Sequence, residues 1–148
     1  MKVVIIMGSP SDQAWADKIK EALGTWGLEV VEHISSAHKV PEKTFALIEQ
    51  YNQEEQIVYV AIAGRSNALS GVISANSIHP VIACPPFKDK SDYLVNIHST
   101  LQMPSATPAL TVLDPKNVAA ACARIFGIAA PALQDKIKQS IKEIKDSF

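Results

Sequence analysis

His38 is the side chain whose type and setting best suit proton transfer, because an imidazole can take up and return a proton near neutral pH. It sits in Ser35-Ser36-Ala37-His38-Lys39, where Lys39 offers a cation for a phosphate or carboxylate. A histidine ahead of a helix also serves purely structural ends, and both roles stand at this point. Two other segments carry similar promise. In Gly8-Ser9-Pro10-Ser11-Asp12, glycine permits a sharp turn, and Ser9 and Ser11 place hydroxyls beside the start of a helix. Such starts attract anions through free N–H groups and the helix dipole. The plainer alternative is helix capping by Ser11 and Asp12. The segment is not a Walker loop, since G-x-x-x-x-G-K-[ST] is absent. In Gly64-Arg65-Ser66-Asn67-Ala68-Leu69-Ser70-Gly71, the Arg65 fork can grip an anion bidentately or form a surface ion pair. Its glycines, with Ser66 and Asn67, suit close backbone approach to a ligand.

The remaining reactive types fit structure better. His33 falls in a strand-like run, His79 precedes a proline at a strand start, and His98 follows a helical stretch. Cys84 and Cys122 read as small buried thiols, and Trp15 and Trp26 as core residues. No His, Cys and carboxylate set has metal-ligand spacing.

The elements that must position these segments alternate in type. Val3–Met7, Leu28–Ile34, Ile57–Ala63, Val81–Cys84 and Ala109–Leu113 read as strands, several apolar throughout, as buried parallel strands are. Ser11–Trp26 lays Trp15, Ile19, Ala22, Leu23 and Trp26 along one helical stripe, and Pro41–Gln53 does so with Phe45, Ile48 and Tyr51. Asn117–Gly127 repeats the pattern with Val118, Ala121, Cys122 and Ile125. This β-α-β alternation predicts an α/β fold with a mostly parallel sheet and helices on both faces. Ligands in such sheets bind beyond the carboxyl ends of the strands. That rule nominates the three loops above, together with Cys84-Pro85-Pro86 and Met103-Pro104-Ser105. Pro131–Phe148 adds a last helix with Leu133, Ile137, Ile141, Ile144 and Phe148 on one face, to be covered by its own domain or by a neighbouring subunit.

Composition narrows the class. A chain of 148 residues suits one domain with a real core, expected as an α/β core over 1–130 plus the helix at 131–148. Net charge is −1, so neither nucleic acid nor a membrane surface is indicated as a partner. Val3–Met7 is too short for a signal core or a membrane span, and two cysteines make no secreted disulfide framework. A cytoplasmic protein is expected.

Taken in order, MGSPSD, SAHK, AGRSNALSG, ACPP and LQMPS resemble the motifs of the aminoimidazole ribonucleotide carboxylase family, from about Val3 to Ile128. The resemblance implies a three-layer, flavodoxin-like domain and assembly as a tetramer or octamer. It implies synthesis of 4-carboxy-5-aminoimidazole ribonucleotide in purine biosynthesis, with no metal, biotin or other cofactor. By the same resemblance His38 is the catalytic acid/base, Ser9 and Asp12 are the first loop's ligand-binding pair, and Lys39 is the adjacent basic contact. Ser36 and the Gly64, Arg65 and Ser66 backbone fall where the reacting carboxyl group is held, and the Ser11 hydroxyl joins the substrate set. One branch of the family rearranges the N5-carboxyamino nucleotide and carries SAHR and a GGAAHLPG-like loop. The other carboxylates the aminoimidazole with CO2 and carries SAHK and AGRSN, as here. The CO2-using branch is therefore expected, with the mutase as the alternative. A flavin- or mononucleotide-binding flavodoxin-like module is a more distant one. A receiver-like module would need an acidic phosphoacceptor where Ala63-Gly64-Arg65 stands.

Overall fold

The structure is a computed structural model describing Met1–Phe148. Five parallel strands form one sheet: β1 (Lys2–Met7), β2 (Glu29–Ile34), β3 (Ile57–Ile62), β4 (Val81–Ala83) and β5 (Leu110–Thr111), in the order β2-β1-β3-β4-β5. The connecting helices are α1 (Gln13–Trp26), α2 (Pro41–Tyr51), α3 (Leu69–Asn76), α4 (Lys90–Leu101) and α5 (Pro115–Gly127), and α6 (Pro131–Asp146) follows. The expected parallel α/β architecture is thus present, as a flavodoxin-like sheet covered on both faces.

The central strands explain their own sequences. β3 is buried at every position, and β1 at all but Lys2, because helices cover both sheet faces. On one face Val3, Ile5, Val60 and Ile62 pack with Ile19 and Leu23 of α1 and with Cys122 of α5. On the other, Val4, Ile6 and Tyr59 pack with Ile48 of α2 and Ile73 of α3. Each of these valine, isoleucine and leucine side chains contributes about 1.5–3 kcal/mol by leaving water.

Several sequence expectations need correction. The loop expected over Gly64–Gly71 ends early, because α3 begins at Leu69. His98 lies within α4 rather than after a helical stretch. Phe45 leaves the expected stripe of α2 and is 43% exposed; Thr44, Leu47, Ile48 and Tyr51 form the buried face instead. The fifth strand shrinks to two residues at the sheet edge, following Pro108, which cannot donate to a ladder. α6 divides along its length. Leu133 is buried and Ile137 packs on the same core, while Ile141 and Ile144 remain exposed; the helix ends at Asp146 rather than at Phe148, which lies exposed beyond it.

Candidate active site

The loops leaving β1, β2, β3 and β4 meet at the carboxyl end of the sheet around a cleft of about 590 Å³. The cleft opens beside β1, from which the chain goes outward to β2 through α1 and returns past β1 to β3 through α2. That reversal is where open α/β sheets bind ligands. Pairing continues just past the strands and holds the loops in place: Gly8 N–H donates to Ile62 O at 2.8 Å and Ser35 N–H to Met7 O at 2.9 Å. A Cβ on Gly8 would stand 3.3 Å from the Ala63 side chain, so glycine lets the first and third loops lie close.

All nine residues singled out as candidates line this cleft: Ser9, Ser11, Asp12, Ser36, His38, Lys39, Gly64, Arg65 and Ser66. The first loop is also a cap, though not the one expected. Ser9, not Ser11, caps a short 3-10 turn over Pro10–Asp12: its Oγ accepts the Ser11 N–H at 3.3 Å, and its own N–H donates to Asp12 Oδ2 at 3.1 Å. Ser11 Oγ lies 2.8 Å from Ser9 Oγ. Burial pushes the Asp12 carboxyl above its ordinary value, opposed by the Ser9 amide.

The second loop is anchored from behind. The buried Ser35 hydroxyl lies 2.8 Å from Thr44 Oγ1 in α2, and Lys43 Nζ donates to Ile34 O at 2.7 Å. This leaves His38 and Lys39 exposed at the cleft. The amides of Ser36, Ala37 and His38 donate to nothing within the chain, whereas those of Lys39 and Val40 turn back to Ser36 O. Free N–H groups beside an imidazole form a receptor for a carboxylate.

In the third loop, Arg65 has a left-handed backbone (φ 58°) and a side chain 82% exposed, 4.0 Å from Asp92 Oδ1. Ser66 is exposed, and neither its amide nor that of Gly64 is bonded within the chain. Asn67, by contrast, turns inward. It is 5% exposed, its Nδ2 donates to Thr100 Oγ1 at 3.1 Å, and its own N–H donates to Ser99 Oγ at 2.6 Å. Its place in the motif is thus a tie to α4, not a ligand contact.

Several cleft residues escaped the sequence reading. Trp15, expected in the core, is only partly buried and stands at the cleft with its ring centroid 5.1 Å from that of Phe87, which in turn meets Tyr93 at 5.4 Å. Lys18 Nζ lies 4.9 Å above the Trp15 ring. Trp15 Nε1–H donates to Cys84 Sγ at 3.3 Å, and burial pushes that thiol up to about 11, leaving it an unreactive packing group. Lys88, Asp92 and Asn96 complete the wall. Trp15 and Lys18 are three apart on one helix, so both face one way, but nothing in the sequence says that this face meets the fourth loop. Met103–Ser105, nominated with the site loops, is not part of this wall; Met103 packs against Gly71 of α3. No cluster of three or more His, Cys, Asp or Glu side chains is arranged to hold a metal ion.

Lys18, Lys39, Arg65 and Lys88 oppose only Asp12 and Asp92, so the cleft favours an anion. A phosphorylated, planar ligand suits these cations, free amides and aromatic rings. Such a site, on a flavodoxin-like sheet, defines a small-molecule-binding α/β protein. The sequence profile of the AIR carboxylase family matches residues 2–147, and the chain belongs to that family. It is 45% identical over 139 residues to the phosphoribosylaminoimidazole carboxylase of Archaeoglobus fulgidus, covering 94% of this chain and 76% of that one. The Treponema denticola carboxylase is 42% identical over 137 residues, which cover 92% of this chain and 86% of its own. The human bifunctional carboxylase/succinocarboxamide synthetase is 39% identical over 142 residues; the match spans 95% of this chain but only 33% of that protein. The crystal structure of Treponema denticola PurE superposes with a TM-score of 0.93 at 38% identity, covering 99% of this chain and 92% of that one.

Proposed function

We propose that this chain is the carboxylase itself, joining CO2 to C4 of 5-aminoimidazole ribonucleotide in purine biosynthesis. The observation that carries the reading is the convergence of His38, free backbone amides and a cationic wall on one cleft in a member of this family. The amino group of the aminoimidazole feeds electrons into the ring, so C4 is nucleophilic. Its electron pair forms the new bond to CO2, leaving a tetrahedral C4 that still holds its hydrogen. His38 takes that proton, the C–H pair returns to the ring, and the aromatic carboxylate results. His38 is exposed, so it can pass the proton on to water. Microscopic reversibility has the same imidazole protonate C4 in decarboxylation.

The remaining roles follow from charge and reach. Ser36 and the Gly64 and Ser66 amides receive the growing carboxylate, worth most where water is excluded. Ser9, Ser11 and Lys39 grip the ribose 5′-phosphate, and Asp12 takes the ribose, since a carboxylate repels phosphate. Electrons and proton are accounted for without metal, biotin or flavin, and the ligands are small molecules rather than nucleic acid. No helix is long and apolar enough to cross a membrane, in keeping with a cytoplasmic setting.

The donor is assigned to CO2 because Lys39 and the Arg65-Ser66-Asn67 loop resemble that branch and the loop carries no histidine. Within that loop Arg65 and Ser66 line the cleft, while Asn67 is turned toward α4. His38 serves either donor. The test supplies labelled bicarbonate, carbonic anhydrase and aminoimidazole ribonucleotide, against freshly made N5-carboxyamino nucleotide under CO2-free conditions. Label in the product with slow use of the second nucleotide is expected. Rapid use of the second with little label would make the chain a mutase, and turnover of neither would remove the carboxylase reading.

A further inference from the structure

Asn96 holds the third and fourth loops in a fixed relation. It lies in α4, one turn beyond Asp92, and is 3% exposed. Its Oδ1 accepts the Arg65 N–H at 2.6 Å, and its Nδ2 donates to Pro86 O at 2.6 Å. Both ends of one amide are therefore used, each on a different cleft loop. A Cβ on Gly64 would approach Asn96 Nδ2 to 3.0 Å, so glycine is what allows this contact. Behind it, Thr100 Oγ1 donates to Asn96 O at 2.8 Å and receives the Asn67 side chain, which ties the rest of the third loop to the same helix.

Arg65 supplies an independent observation. Its φ of 58° is a left-handed conformation that costs an ordinary L residue about 1–2 kcal/mol. Rotating the Gly64–Arg65 peptide would relax it, exchanging the places of that unit's N–H and C=O. The bond to Asn96 forbids the rotation. Peptides here are trans, so with the N–H aimed at α4 the Gly64 carbonyl is antiparallel to it and faces away from Asn96. The Arg65 amide is thus consumed, and the neighbouring Gly64 and Ser66 amides are the ones left free.

We infer that Asn96 is a positioning residue: its carboxamide locks the Gly64–Arg65 peptide and the adjoining fourth loop, thereby fixing which backbone groups the third loop offers the reacting carboxyl group. The inference rests on the carboxylase reading for what is positioned, but not for the lock itself. Asn96 touches no reacting atom in this scheme. Its loss changes the alignment of the chemical step rather than the grip on phosphate and ribose, which other loops supply.

The test compares the full chain with Asn96→Ala and Asn96→Asp. Asn96→Asp keeps an acceptor for Arg65 but sets an oxygen against Pro86 O, and serves if the alanine variant does not fold. Amide exchange at Arg65, followed by NMR without ligand, is expected to be slow in the parent and at least about tenfold faster in Asn96→Ala; equal exchange overturns the lock. In steady-state kinetics kcat is expected to fall about tenfold or more with KM for the nucleotide within threefold, since small misplacements carry such costs. An intact lock difference with unchanged kcat overturns the positioning role. An inactive parent overturns the carboxylase reading, while the exchange measurement still decides the lock.

Discussion

His38 stands at the cleft beside amides that bond to nothing in the chain, and its surroundings set its expected behaviour on substitution. Asparagine keeps a polar group of similar reach but cannot shuttle the C4 proton. His38→Asn is expected to lower turnover by about 10²-fold or more while calorimetric nucleotide affinity changes little. Near-parent turnover in the folded variant would end the assignment. Lys39 tests a different interaction. If its ammonium meets the 5′-phosphate, Lys39→Ala weakens binding of the nucleotide far more than of the nucleoside, and increasingly so at low salt. Equal losses for both ligands would transfer the phosphate to Lys18, Arg65 or Lys88.

At the scale of elements, β2 and α2 carry the second loop, and their contact is sensitive to pH. His33 Nε2 lies 2.8 Å from the Tyr51 hydroxyl. Burial, aided by the Lys43 charge, holds this imidazole below its ordinary 6.5. The folded chain therefore binds fewer protons here than the unfolded chain between the two values. Stability from this site is complete above about pH 6.5 and declines as pH falls through that value toward the folded one. The melting temperature is expected to drop on going from pH 7.5 to 5.5, and His33→Gln to flatten part of that slope. An identical slope in the variant would assign the effect to other groups.

For the whole molecule, the unfinished feature is α6. Its first half closes the core with Leu133 and Ile137, whereas Ile141 and Ile144 project from the second half and Phe148 is exposed just beyond it. A helix that leaves one end of its apolar stripe in water is readily explained by self-association, and closed symmetry is the common outcome. A tetramer or octamer is expected by light scattering at micromolar concentration; a monomer there would leave the stripe without that explanation.

How much was legible in the sequence depended on whether a signal was local. The continuous apolar runs of β1 and β3 declare strands buried on both faces, and the alternation with amphipathic helices declares a parallel sheet. The candidate residues fall immediately after strands, so strand direction alone gathers Ser9, Asp12, His38 and Arg65 at one end. Local signals failed where partners lie far apart in the chain. Nothing in its neighbours shows that Trp15, packed at the edge of the core, also meets Phe87, because that contact joins the first loop's helix to the loop after β4. Asn67, which in the sequence suits close backbone approach to a ligand, proved to be a tie to Thr100, 33 residues away. Asn96 carried no motif, yet its amide spans two loops. Sequence by itself determined which strands form and which end of the sheet bears the chemistry, because hydrophobic period and chain direction are local properties. Only the tertiary structure decided which polar groups face the cleft and which brace it, because a hydrogen-bonding side chain serves either purpose until its partner's position is known.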